Sequence, residues 1–151
     1  MVAYTDSLGF TKGSPSFSPY VTTHNVSFVN VDLDFKKIAD ARAAAGVPAL
    51  AATDTLEVLP VRKGTVVLAA TAWLVTPEGA TATIDLGDAD SATRYFSNLN
   101  LNAAAGTVSA STLSAPYVYN ADGAIRITVD HNNVDAAKVR LGVLFFNVDV
   151  A

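Results

Sequence analysis

The sequence predicts an all-β fold: an antiparallel, jelly-roll-like β-sandwich of about eight strands, with one short α-helix near residues 36–45 and an extended N-terminal arm. Three observations predict it. Short apolar segments recur at similar intervals, separated by clusters of Gly, Pro, Asn and Asp. Within several of them apolar and polar residues alternate, the period of a half-buried strand. A single stretch, FKKIADARAAAGVPAL, has the Ala-rich composition of a helix, so strands and helices do not alternate as they would in an α/β chain.

Bulk properties narrow the possibilities. A chain of 151 residues suits one domain, here 21–151 after an arm over 1–20, with enough core to need neither metal nor disulfide. There are no cysteines, which removes thiolate metal sites and cysteine nucleophiles. Only 16% of residues are charged, against about 25% in ordinary soluble domains. The net charge of −4 and the lack of a basic cluster beyond Lys36-Lys37 and Arg62-Lys63 argue against nucleic acid as a partner. The longest apolar run, Val66 to Val75, is about half of the roughly 20 residues that a membrane-spanning helix needs. MVAYTDSLGF lacks the pattern of a secretory signal, so synthesis in a cytoplasm is expected.

Taken in order, the arm carries Tyr4, Phe10, Phe17 and Tyr20 among Ser, Gly and Pro without a regular period, and Pro15 and Pro19 would interrupt either element. Aromatic residues on such an arm are expected to dock on a neighbour. In VTTHNVSFVNVDLDF, residues 21–35, Val26 and Phe28 share one phase and Val29, Val31, Leu33 and Phe35 the other, which predicts a bulge or bend near Phe28-Val29. The helix follows, with Ile38, Ala41 and Ala45 on one face toward the sheet, Gly46 as cap and Pro48 as stop. Val66 to Leu86 reads as two long strands folded back on each other at Pro77-Glu78-Gly79, with Trp73 in the core and Ala82, Ile84 and Leu86 on one face of the second arm. Further strands are expected at 55–61, 94–101, 106–113, 117–119, 124–130 and 138–150. The last, apolar on both faces with a phase shift at Phe145-Phe146, belongs in the middle of a sheet.

Charge is unevenly spread. From Tyr95 to Ala121 the only ionisable side chains are three tyrosines, and from Ser7 to Val31 Lys12 alone carries a full charge at neutral pH. Strand faces with Ser, Thr, Asn and Ala at outward positions suit subunit contacts.

Motifs for chemistry are sparse. The acidic loop Asp85 to Asp90 makes Asp88 and Asp90 weak metal candidates, but the loop lacks the downstream bidentate Glu of the helix-flanked calcium pattern. His24 and His131 each adjoin Asn, with no recognisable serine–acid arrangement. Phosphate-binding glycine loops are absent and Glu57 and Glu78 are the only glutamates, so neither a cofactor nor an enzyme activity is expected. Tyr95, Phe96, Tyr117 and Tyr119 would serve a sugar-binding platform, although strand alternation accounts for them as core.

The segment VDLDFKKIADARAAAGVPALA, residues 31–51, with Asp54 to Leu59 after it, resembles a pattern of small virion proteins of tailed bacteriophages, in which a strand leads into an Ala-rich helix and then a strand opened by an acid. Gly79 to Asp88, Asn100 to Thr107 and Lys138 to Val143 are similar to later segments of such proteins. The resemblance covers about residues 31–150 in order and leaves the arm uncovered. It implies a head decoration, or cement, protein on the capsid surface of the virion, jelly-roll-like and usually a homotrimer, bound to the major capsid protein or other virion proteins. Tyr4, Phe10, Phe17, Tyr20, Tyr117 and Tyr119 are the expected capsid or subunit contacts. The alternatives are a tail or host-attachment component and a carbohydrate-binding β-sandwich module.

Overall fold

The computed structural model describes residues 4–5, 11–12, 26–111 and 113–148. Two short strands, β1 (Tyr4–Thr5) and β2 (Thr11–Lys12), pair antiparallel as a separate ladder within the stretch read as an arm. The remaining strands form two antiparallel sheets. The first has the order β3 (Ser27–Asp34), β11 (Lys138–Asn147), β5 (Thr65–Thr76), β8 (Val108–Ala110), with β9 (Tyr117–Val118) also paired to β5. The second has the order β4 (Thr55–Val61), β10 (Gly123–His131), β6 (Thr83–Gly87), β7 (Phe96–Asn100).

This order is that of a jelly roll. The chain crosses from sheet to sheet at every step from β3 to β6, returns to the first sheet after β7, and ends with the last strand inserted between β3 and β5. The expected central position of the last strand is therefore observed, and its register shifts at Leu144/Phe145, beside the phase change in the sequence.

Alternation builds the core between the sheets. Leu33, Val139, Leu141, Val143, Ala70, Ala72 and Leu74 from the first sheet meet Ile84, Leu86, Ile125, Ile127 and Val129 from the second, all buried. Each large aliphatic side chain removed from water contributes about 1.5–3 kcal/mol. Ala82, Ile84 and Leu86 share the inward face as expected.

Four expectations are corrected. The strands around Pro77-Glu78-Gly79 do not pair: β5 and β6 lie in different sheets, and residues 77–82 carry the chain across the sandwich. The buried Glu78 fixes that crossing by accepting hydrogen bonds from the backbone N–H of Asp135, Ala136 and Ala137 at 2.7–3.2 Å, so it ties this connection to the one before β11. Trp73 is 45% exposed rather than in the core, because it lies opposite Arg140 on the outward phase of β5, between the inward Ala72 and Leu74. Phe28-Val29 forms no bulge: β3 keeps an unbroken register with β11, and Phe28 simply points outward. The helix α1 (Phe35–Ala44) is capped by the Asp34 side chain, which accepts from the Lys37 N–H, but its apolar contacts with the core are made by buried Phe35 and half-buried Ile38, while Ala41 and Ala45 are exposed.

Candidate functional site

Two surfaces gather the residues that could act on something outside the chain. The first is centred on the acidic loop. Tyr95, five residues beyond Asp90, is fully buried, its N–H donating to the Leu86 carbonyl at 2.8 Å. Its hydroxyl lies 2.8 Å from that of Tyr119, and the Tyr119 hydroxyl donates to Asp88 Oδ2 at 3.2 Å. Asp88 Oδ1 accepts from the backbone N–H of Asp90 and Ser91, each at 3.0 Å, and from Arg94 Nη2 at 3.2 Å, while Arg94 Nε donates to Asp88 Oδ2. The Arg94 guanidinium in turn stacks 3.5 Å from the centre of the Tyr117 ring, which meets the Tyr119 ring in a T-shaped arrangement with centres 5.0 Å apart. One carboxylate thus ties the loop after β6 to the loop after β9.

The electrostatics follow from this geometry. Burial pushes Asp88 up, but the Arg94 hydrogen bonds and the N–H groups of Ser91 and Asp90 together outweigh it and hold the carboxyl below its ordinary value. Burial pushes Tyr95 up to about 12, and Tyr119 is raised further by burial and by its neighbours Tyr95 and Asp88. Gly87 permits the close return of the loop: a Cβ there would lie 2.0 Å from the Ser91 carbonyl oxygen.

Around this cluster opens a cleft of about 700 Å³ on the outer side of the second sheet, with Glu57, Asp90, Tyr117, Asp122 and Arg126 among its lining residues. The sequence candidates Asp88, Asp90, Tyr117 and Tyr119 therefore come together here. Both oxygens of Asp88 are engaged by protein donors, and no group of three acidic or histidine side chains suited to a metal occurs among the described residues. Tyr119 is 6% exposed and Tyr117 half-buried, so to an outside partner they offer chiefly the Tyr117 ring. Arg94 and Arg126 were not singled out from the sequence. The spacing of Asp88 and Arg94 does not reveal an ion pair until the loop is folded back, and Arg126 is one outward residue in an ordinary alternation.

The second surface is the outward face of the first sheet. Cross-strand rows place Asp32, Arg140, Trp73 and Val108 side by side, then Asn30, Gly142, Thr71 and Ala110, then Phe28, Leu144 and Ala69. Phe28, Trp73 and Val108 are 54%, 45% and 67% exposed. Arg140 bridges the face, paired with Asp32 at 2.7 and 3.0 Å and 5.7 Å from the Trp73 ring centre. A Cβ on Gly142 would lie 2.4 Å from the Phe28 ring, so the missing side chain is what lets that ring lie down on the sheet. Tyr4 lies in β1, and Phe10, Phe17 and Tyr20 fall outside the described residues.

No family model matches the chain, and no curated protein matches it. Solved structures do. A chain of the cyanophage Pam1 capsid asymmetric unit superimposes with a TM-score of 0.63 at 23% identity, covering 95% of this chain and 98% of that one. A chain of the Ralstonia phage GP4 capsid gives 0.57 at 18% identity, covering 89% and 92%, and one of the acid-stable capsid of Helicobacter pylori bacteriophage KHP30 gives 0.58 at 14%, covering 82% and 90%. What is shared is the fold. It is shared over 82–95% of this chain and 90–98% of those chains.

Proposed function

We propose that the protein is a structural component of a tailed-phage particle that decorates the capsid and stabilises it through protein–protein contacts. The observation that carries this reading is the end-to-end match, with the same sandwich, to a chain of the cyanophage Pam1 capsid asymmetric unit. The surface agrees with it. The uncharged stretch after Tyr95 supplies β7, β8 and β9, which lie at one flank of the sandwich, and the outward face of the first sheet exposes Phe28, Trp73 and Val108. Contacts of this kind need no catalytic group, and repetition by the symmetry of a shell multiplies modest affinities into tight attachment.

In this reading the chain is a homotrimer, residues 1–20 are the arm that reaches the shell, and Tyr4, Phe10, Phe17 and Tyr20 are its anchors, while Tyr117 contributes at the sandwich. The partners are the major capsid protein and sister copies at the capsid surface. The test is co-sedimentation of the purified protein with heads lacking it. Saturable attachment at a fixed number of copies per head, with heads then resisting heat better, is expected; recovery of the protein only with tails, or free in the supernatant, overturns the reading.

A further inference from the structure

The cleft beside the acidic loop has charged lining residues, Arg126 among them, that the assembly role leaves unused. Arg126 sits on β10 in register with Glu57 of β4 on one side and Gly87 of β6 on the other, on the outward phase between buried Ile125 and Ile127. Its Nε is buried without a hydrogen-bond partner, and the side chain takes part in none of the ion pairs of the described residues. An Nε–H left this way is costly, since it has given up water and received no acceptor. In the same cleft the carboxylates of Glu57, Asp90 and Asp122 take part in none of the ion pairs of the described residues.

These groups select a ligand chemistry. Guanidinium nitrogens only donate hydrogen bonds and ionised carboxylates only accept them, so a ligand that satisfies both must donate and accept along its length. An anion would pair with Arg126 but meet three carboxylates. A cation would meet Arg126. A metal ion would need ligands gathered within reach of one point, and the acidic side chains are not so grouped. A chain of neutral hydroxyls meets every requirement without carrying charge into the site. The volume, about 700 Å³, lies within the range of small-molecule sites. Tyr117, clamped between Arg94 and Tyr119, supplies a wall whose position is already fixed, so little ordering entropy is lost on binding.

We propose that this cleft binds a neutral saccharide, with Arg126 donating to ring or hydroxyl oxygens and Asp122, Asp90 and Glu57 accepting from hydroxyl groups. The inference is independent of capsid attachment, because the isolated protein is expected to bind. The experiment is titration of the isotope-labelled protein, followed by amide chemical shifts, with maltotriose, cellotriose, mannotriose and chitotriose, with sialyllactose as an anionic control and an oligolysine peptide as a cationic one. At least one neutral sugar should give saturable shifts concentrated at residues 88–90 and 117–126, and Arg126→Gln should weaken that binding about tenfold or more, the size of a lost hydrogen bond to a charged group. Asp122→Asn retains the acceptor that holds the Lys63 N–H, so the fold is preserved while a sugar contact is weakened. No shifts with any neutral sugar, shifts unchanged by Arg126→Gln and Asp122→Asn, or shifts at these residues from sialyllactose or oligolysine alone would each overturn the proposal.

Discussion

Asp88 is the side chain on which most local order converges. It accepts from two backbone N–H groups, Arg94 and Tyr119, so Asp88→Asn should cost about 2–3 kcal/mol; the full 3–5 kcal/mol of a wholly buried pair is discounted because Arg94 keeps some solvent. The pH dependence has a definite sign. A carboxyl held below its ordinary value of 3.8 in the folded state gives its full stabilisation above that value and loses it as the pH falls through the lower, folded one; urea titrations of wild type and Asp88→Asn should therefore converge in acid. At the other extreme, Tyr95 holds its proton up to about 12 while an unfolded tyrosine releases it near 10.0, so stability should fall across that interval and fall less steeply in Tyr95→Phe. Gly87→Ala should be worse than either substitution. Its Cβ would strike backbone, which cannot swing away as a side chain can, and the loop holding Asp88 would have to lift.

At the level of elements, Glu78 shows how a crossing between sheets is held. Glu78→Ala removes the acceptor for three backbone N–H groups and should destabilise by about 2–4 kcal/mol, with faster amide hydrogen exchange confined first to residues 135–137. The extents of β4 and β5 were legible in the sequence because Asp54, Arg62-Lys63-Gly64 and Pro77-Glu78-Gly79 bound them and the residues between are mostly apolar. Their sheet membership was not. Alternation says which residues share a face, but Pro77-Glu78-Gly79 is compatible with a hairpin and with a crossing, and only the distant partner of Glu78 distinguishes them. Trp73 was misplaced for a related reason: in ALA-rich, apolar β5 both phases look buried, and the deciding fact is Arg140 on the next strand. The cluster at Asp88 was half legible, since its acids and tyrosines could be named but Arg94, which organises it, could not. Trp73→Ala, now placed outside, should leave the urea midpoint almost unchanged and reduce self-association or head binding, measured by sedimentation.

For the molecule as a whole, the proposed trimer predicts a light-scattering mass of about three times the chain's 15.7 kDa, and a monomer at micromolar concentration would count against it. Removal of residues 2–20 should leave the sandwich folded, because its core is built from residues after 26, and should abolish attachment to heads if the arm is the anchor. The position of β11 between β3 and β5 has a further consequence, in time rather than in space. The first sheet lacks its central strand until β11 has been made, so during synthesis β3 has no partner in that sheet and β5 is paired on one side alone, by β8 and β9. An interrupted product ending before Lys138 would expose two unpaired strand edges and the apolar floor of the sandwich, and would be a substrate for proteases rather than for assembly. The fold thus closes late: the two halves of the first sheet are joined only when the segment from Lys138 to Asn147 enters between them.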